Sequence, residues 1–176
     1  MKNTTTLIIG GCRSGKSSHA LDMANQMPGT KKIFVATSVP SDPEMEKRVM
    51  KHKQDRGDLW ETAEVPMDLA AAVSRLSKEA DVLLVDCLTL WLSNLLAKGH
   101  GEEEVFQACK ELIHALETAV CPVILVSNEV GSGIVPENEI ARQFRDLAGF
   151  VNQQIAASAT SVIWSVAGIP ISIKKG

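Results

Sequence analysis

The sequence predicts an α/β fold, a mostly parallel central sheet with helices on both faces, forming one domain over residues 1–176. Three observations carry this expectation. Five short apolar runs rich in β-branched residues recur along the chain, each continuous rather than alternating, as in strands covered on both faces. Helix-length segments separate them, and strand–helix alternation implies right-handed crossovers between parallel strands. The length, 176 residues, is that of one ordinary domain, able to bury roughly 70% of its unfolded surface without a disulfide or metal staple.

In chain order, the run at 5–9 (TTLII) predicts the first strand, and 17–27 the first helix. A strand over 33–37 (IFVAT) is followed by helical segments at 43–55 and 67–78. The run 82–85 (VLLV) leads into helices at 88–98 and 102–119, and 123–127 (VILVS) into a helix at 138–158. The last covered strand is 162–166 (VIWSV); beyond the Gly168-Ile169-Pro170 turn, 171–173 adds an antiparallel edge. No long linker, repeat or low-complexity block interrupts the series. The segment 43–55 departs from it, with Glu44, Glu46, Lys47, Arg48, Lys51, His52, Lys53 and Asp55 against only Met45, Val49 and Met50. A helix this polar is solvated or lines a polar site.

Composition narrows the partners. Eighteen Lys and Arg against 21 Asp and Glu give a formal charge of −3, so no basic field holds nucleic acid. Three Trp, four Phe and no Tyr leave few platforms for stacked bases. Cys12, Cys87, Cys109 and Cys121 are far apart, with no CxxC and no zinc spacing, and read as reduced thiols. The apolar run Leu7-Ile8-Ile9 is too short for a signal-peptide core, and no stretch approaches the roughly 20 residues of a membrane span. A cytoplasmic protein is expected.

Gly10-Gly11-Cys12-Arg13-Ser14-Gly15-Lys16-Ser17 matches GxxxxGK[ST] directly after a strand and at the start of a helix. Glycines let backbone N–H groups curl around phosphate oxygens, and the helix N-terminus adds partial positive charge. Lys16 suits the β/γ-phosphates and the Ser17 hydroxyl suits Mg²⁺. Asp86 ends an apolar strand, where a carboxylate faces the ligand crevice of such sheets and can hold Mg²⁺ directly or through water. Ser127-Asn128-Glu129-Val130-Gly131 follows another strand at the position of a GTPase Asn-Lys-x-Asp motif, but the lysine and final aspartate are missing. The Gly131-Ser132-Gly133 run that follows predicts a mobile loop, or equally a plain connector. Of the four histidines, His19, His100 and His114 have no partner at metal spacing. His52 is ringed by Arg48, Lys51, Lys53 and Arg56, cations that favour a neutral, nucleophilic imidazole and attract polyphosphate.

With these residues assembled, the chain resembles the bifunctional adenosylcobinamide kinase/adenosylcobinamide-phosphate guanylyltransferase family of cobalamin biosynthesis. The likeness covers almost the whole chain: the P-loop, Ala36-Thr37-Ser38, Arg48 to Lys53, Trp60-Glu61-Thr62-Ala63-Glu64, Asp86 to Asn94, Ser127 to Pro136, Arg142 to Asp146 and Asn152-Gln153. The resemblance implies phosphorylation of adenosylcobinamide with ATP or GTP, then transfer of GMP from GTP to adenosylcobinamide phosphate, with Mg²⁺ as the metal. It implies a guanylylated histidine at His52, and nucleotide contacts at the P-loop, Thr37, Ser38, Lys53, Gln54, Asp55, Arg56, Glu64 and Asp86. It also implies a RecA-like P-loop domain assembled as a homotrimer. Members often carry Arg-Arg-Pro where this chain has Asp55-Arg56-Gly57, and some carry Glu in place of Asp86. Two other classes stand beside this one on the residues alone: a P-loop small-molecule kinase without nucleotidyl transfer, and a RecA-like nucleotide switch or assembly module.

Overall fold

The described part of the computed structural model, residues 4–39 and 59–176, is built on one seven-stranded sheet. Its strands are β1 (Thr5–Gly10), β2 (Lys32–Ala36), β3 (Trp60–Glu64), β4 (Val82–Asp86), β5 (Val123–Asn128), β6 (Ser161–Val166) and β7 (Ile169–Lys174). They lie in the order β3-β2-β4-β5-β1-β6-β7. All pairings are parallel except β6 with β7, the antiparallel edge expected from the turn at Gly168. The helices, numbered among the described residues, are α1 (Lys16–Gln26), α2 (Leu69–Leu76), α3 (Leu88–Ala97), α4 (Glu102–Thr118) and α5 (Glu139–Ser158). The helical segment expected at 43–55 lies outside the described residues.

Alternation along each strand sorts the core into two layers. Leu7, Ile33, Val35, Leu83, Val85, Val123, Leu125 and Val162 face α2, α3, α4 and α5. Ile8, Val82, Leu84, Ile124 and Val126 face the other way, where Ala20 and Ala24 of α1 cover them. Helices on both faces follow, and the buried β1, β4 and β5 show the continuous apolar runs that double cover demands.

Two strands depart from the sequence reading for the same reason, their place near an edge. Strand β3 was not expected, because Trp-Glu-Thr-Ala-Glu offers no apolar run. As the outermost strand it is covered mainly through Trp60, which is buried while Glu61, Thr62 and Glu64 are exposed. Expected as a strand covered on both faces, β6 instead buries Val162 and Ser165 and leaves Trp164 43% exposed. Among the described residues, its outer neighbour β7 has no further strand beyond it.

The P-loop helix α1 is anchored at its far end. Lys32, itself buried, donates from Nζ to the carbonyls of Ala24, Asn25 and Met27 at 2.7, 2.9 and 3.1 Å. An ammonium there satisfies orphan C-terminal carbonyls and meets the negative end of the helix dipole. Trp60 Nε1 donates to Asn25 Oδ1 at 3.0 Å, tying β3 to the same helix end. The Asp81 carboxylate accepts the N–H groups of Thr30 and Lys31 at 2.8 and 2.9 Å, bonds that hold it below the usual carboxylate range. Elsewhere, Asn138 Oδ1 caps α5 by accepting the N–H of Ala141, and Glu102, Glu103 and Glu104 place negative charge in the first turn of α4.

Lys32→Met keeps the apolar stem but leaves three carbonyls without their cation. It is expected to lower unfolding stability by about 2–4 kcal/mol, read as a lower urea midpoint at unchanged slope. A midpoint matching wild type would remove Lys32 from the account of how α1 is held.

Candidate functional site

Parallel register places the candidate residues. Directly paired residues share a face of the sheet. Glu64 pairs with Ala36, Ala36 with Asp86, and Asp86 with Val126, which looks toward α1. On the other side Gly10 pairs with Asn128, two residues beyond Val126 and so on that same face. The carboxyl ends of β3, β4, β5 and β1 therefore bring Glu64, Asp86, Asn128 and the first P-loop glycine to one edge of the sheet, on the α1 side. This is the crevice in which ligands of open α/β sheets bind.

The loop from Gly10 to Lys16 has a built conformation. Arg13 and Gly15 take left-handed backbone angles, φ 57° and 87°, the kind of turn that points successive N–H groups inward as an anion nest. Gly10 admits no side chain, since a Cβ there would stand 2.5 Å from the carbonyl oxygen of Ser165 and from Ser14 Oγ. Lys16 is buried, with its Nζ donating to the Gly11 carbonyl at 3.0 Å. Cys12 is exposed at the rim of the loop, and Ser17 follows on the first turn of α1. Ser14 Oγ is buried with no hydrogen-bond partner among the described residues.

The loop is braced from the end of the chain. The Ser14 carbonyl accepts from Ser165 Oγ at 2.7 Å and from the Gly168 N–H at 3.0 Å, so the β6–β7 hairpin holds the cradle. The Gly10 carbonyl accepts the Glu129 N–H at 3.0 Å.

Thr37, expected as a nucleotide contact, spends its hydroxyl inside the protein. Its Oγ1 donates to the Cys87 carbonyl at 2.7 Å and accepts the Cys87 N–H at 2.8 Å. The pair fixes the residue after Asp86, whose peptide bond to Cys87 is cis. Ser38 follows, half-buried. Asn94 of α3 donates to the carbonyls of Thr37 and Pro66 at 2.8 and 2.9 Å, clamping the loops after β2 and β3 together. Trp91 Nε1 adds a bond to the Met67 carbonyl at 2.7 Å. At the end of β5, Thr89 Oγ1 accepts the Asn128 N–H at 2.8 Å, and Asn152 Nδ2 donates to the Asn128 carbonyl at 3.1 Å. Ser127 Oγ donates to Asn152 Oδ1 at 2.6 Å.

These bracing residues went unassigned in the sequence reading. Their signal was polar side chains at otherwise apolar helix positions, as with Thr89 and Asn94 in LTLWLSN. The Gly131 loop, expected to be mobile or a plain connector, is tied by Arg145 to the Gly131 carbonyl at 2.6 Å and by Arg142 to the carbonyls of Pro136 and Glu137. All four cysteines are free. Burial first, and then the Asp86 carboxylate, pushes the Cys87 thiol up to about 11, so it stands protonated and unreactive beside the site.

The candidate residues His52, Lys53, Gln54, Asp55 and Arg56 lie outside the described residues. Among those described, the P-loop, Asp86, Glu64 and the Thr37-Ser38 turn come to one sheet edge. The Ser17 hydroxyl and Asp86 carboxylate are hard oxygen donors of the kind a divalent cation bound to nucleotide takes. The arrangement can cradle phosphates and stabilise charge on them.

The family model for cobinamide kinase / cobinamide phosphate guanyltransferase matches residues 6–173. The bifunctional adenosylcobalamin biosynthesis protein CobU of Salmonella typhimurium is 41% identical over 180 residues, covering 96% of this chain and 98% of its own. The bifunctional protein CobP of Pseudomonas aeruginosa is 40% identical over 173 residues, covering 96% of each chain. Among solved structures, the flagellar accessory protein FlaH of Methanocaldococcus jannaschii superposes with a TM-score of 0.55 at 16% identity, over 98% of this chain and 79% of that one. The ATPase domain of G40P gives 0.56 at 12% identity, over 93% of this chain and 69% of that one. At such identities the structural likeness establishes the fold alone, the RecA-like P-loop fold.

Thr37→Val removes the hydroxyl at nearly constant volume and leaves a buried N–H and carbonyl of Cys87 unpaired. A loss of about 2–4 kcal/mol is expected, together with weaker nucleotide binding as Asp86 loses its support. Chemical denaturation and a GTP titration on the same preparation check both halves; wild-type values in both would show that the hydroxyl fixes nothing.

Proposed function

The chain belongs to the cobinamide kinase / cobinamide phosphate guanyltransferase family, and on that premise we propose how its residues divide the two reactions. It is a bifunctional enzyme of adenosylcobalamin biosynthesis, with cobinamide kinase and cobinamide-phosphate guanylyltransferase activities. The observation that carries the assignment is the braced P-loop sharing one sheet edge and one face with Asp86.

In the kinase step the loop N–H groups and Lys16 hold the triphosphate of ATP or GTP. The hydroxyl oxygen of adenosylcobinamide bonds to the γ-phosphorus as the bond to the bridging oxygen breaks, and the nucleoside diphosphate leaves with the electron pair. Such a transfer asks the protein for position and charge stabilisation more than for covalent chemistry. In the second step the imidazole of His52 attacks the α-phosphorus of GTP and pyrophosphate departs, its charge met by Lys16. A phosphate oxygen of adenosylcobinamide phosphate then displaces the histidine nitrogen, giving adenosylcobinamide-GDP. The support for His52 is its cationic surroundings, Arg48, Lys51, Lys53 and Arg56, and the family's histidine segment.

Ser17 and Asp86 would hold Mg²⁺, which when bound neutralises phosphate charge. Thr37, Ser38, Lys53, Gln54, Asp55, Arg56 and Glu64 contact nucleotide in this reading, Thr37 without its hydroxyl, which is engaged with Cys87. One domain carries both reactions on small-molecule substrates rather than nucleic acid, in the cytoplasm, and no described helix is long and apolar enough to cross a membrane. The active form is a homotrimer; the apolar side chains of Trp164, Ile169, Ile171 and Ile173 exposed on the β6–β7 hairpin support self-association.

Two substitutions separate the steps. Lys16→Ala is expected to lower kinase turnover by about 10²–10³-fold, measured at saturating nucleotide. His52→Asn is expected to abolish covalent retention of label from GTP labelled at the α-phosphate, and with it guanylyl transfer, while leaving most phosphorylation of adenosylcobinamide. The wild-type adduct is expected to be acid-labile and alkali-stable, as a phosphorus–nitrogen bond is. Full labelling of the His52→Asn protein would place the nucleophile elsewhere.

A further inference from the structure

We propose that the loop between β5 and α5 is the docking surface for the corrinoid, with Ile134, Val135 and Ile140 receiving the macrocycle of adenosylcobinamide. This placement rests on the reading of the P-loop crevice as the kinase site and adds where the acceptor substrate lies against it.

The loop stands where the acceptor must arrive. It begins against the cradle, the Glu129 N–H donating to the Gly10 carbonyl at 3.0 Å. It ends in α5, whose height above the sheet is fixed at two levels. Asn152 donates to the carbonyl of Asn128, at the carboxyl end of β5, at 3.1 Å, and Arg145 donates to the carbonyl of Gly131 at 2.6 Å. Helix α5 returns antiparallel to β5, so its first turns rise past the strand end. At about 1.5 Å per residue, Arg145 stands about 10 Å beyond Asn152 and Glu139 about 20 Å. The loop and these turns form a wall above the sheet edge, on the face away from α1. In a phosphoryl transfer the attacking oxygen lines up opposite the leaving one. With the triphosphate over the P-loop and α1, the substrate hydroxyl enters from the side of this wall.

The wall is braced, and apolar where it meets solvent. Arg142 donates to the carbonyls of Pro136 and Glu137, Asn138 Oδ1 caps α5, and the Glu129 carboxylate accepts the Gly131 N–H. On this fixed backbone Ile134 is 98% exposed, Ile140 71% and Val135 61%. None of the three belongs to either core layer. Three large aliphatic side chains within seven residues of chain are a patch rather than scattered surface, and such patches mark binding. Their neighbours argue against a phosphate as the occupant: Glu137 and Glu139 are acids, and Arg142 is engaged with main-chain carbonyls. A corrin ring suits them, because its rim is studded with methyl groups. The hydroxyl to be phosphorylated ends an amide-linked arm of about seven bonds, roughly 8 Å when extended. With that oxygen at the γ-phosphate, the ring begins near the height at which Arg145 holds Gly131, beside the exposed aliphatic residues.

The test compares Ile134→Ser, Ile140→Ser and the double variant with wild type. Equilibrium dialysis against adenosylcobinamide, read by the corrinoid's visible absorbance, gives its affinity, and steady-state phosphorylation gives its KM. Each single substitution is expected to weaken binding and raise KM about 10-fold, and the double variant about 100-fold. GTP affinity by titration and particle mass by sedimentation are expected to match wild type. Both side chains face solvent, so the variants keep the fold, and an unchanged unfolding midpoint checks this. Unchanged corrinoid affinity in the double variant overturns the proposal, as does a wild-type protein that does not bind adenosylcobinamide. An equal fall in GTP affinity overturns it by making the patch a platform for the base. A smaller particle overturns it by making the patch a contact between copies of the chain. A wild-type protein that binds adenosylcobinamide but never phosphorylates it would sink the kinase reading instead, while the dialysis would still decide the loop.

Discussion

The parallel pairing of β1 with β5 and β5 with β4 is the constraint on which the site depends. Side chains alternate along a strand with a period of two residues, so a slip of one residue in either pairing would turn a partner to the opposite face. In the observed register Gly10, Asn128 and Asp86 fall on the α1 side. A slip would also turn Ile124 and Val126 out of the α1 layer and Leu125 out of the other. The burial that drives folding and the geometry of the phosphate site are thus fixed by the same hydrogen-bond ladder, and one cannot drift without the other.

What the ladder leaves free at its carboxyl end is taken up by short polar side chains bonded to main chain. Thr37 holds Cys87, Asn94 holds the loops after β2 and β3, Thr89 and Asn152 hold Asn128, and Ser165 holds Ser14. Hydroxyls and carboxamides suit the task because they are small enough to be buried and have both a donor and an acceptor to satisfy strand-end groups. A rim held in this way needs little reorganisation when a highly charged ligand arrives, which is where electrostatic catalysis gains most.

The sequence made the covered strands and the chemistry of the P-loop legible, since both depend on local pattern: an apolar run, then glycines spaced around a lysine. It also placed Asp86, because a strand end followed by an acid is a local signal. Strand β3 was not legible, since an edge position relaxes the demand for apolar residues and Trp-Glu-Thr-Ala-Glu no longer looks like a strand. Nor was the engaged hydroxyl of Thr37, whose partner is 50 residues away in the chain. Asn128 stood only within a segment where a GTPase motif would lie and is incomplete. Only the strand order, which sequence spacing does not specify, sets it between the strand that leads into the P-loop and the strand that ends in Asp86.

The brace between Ser165 and Ser14 spans 151 residues of chain, and this orders events during biosynthesis. On the ribosome the loop from Gly10 to Lys16 is made long before its brace, and β1 has no neighbour until β5 has been made. Closing contacts so distant is slow relative to forming the helices, and until then Leu7 and Ile8 lack their cover. A nascent chain that has reached only β5 can form the middle of the sheet but cannot hold the Ser14 carbonyl. The residues of the cradle are thus synthesised well before the hairpin that braces them.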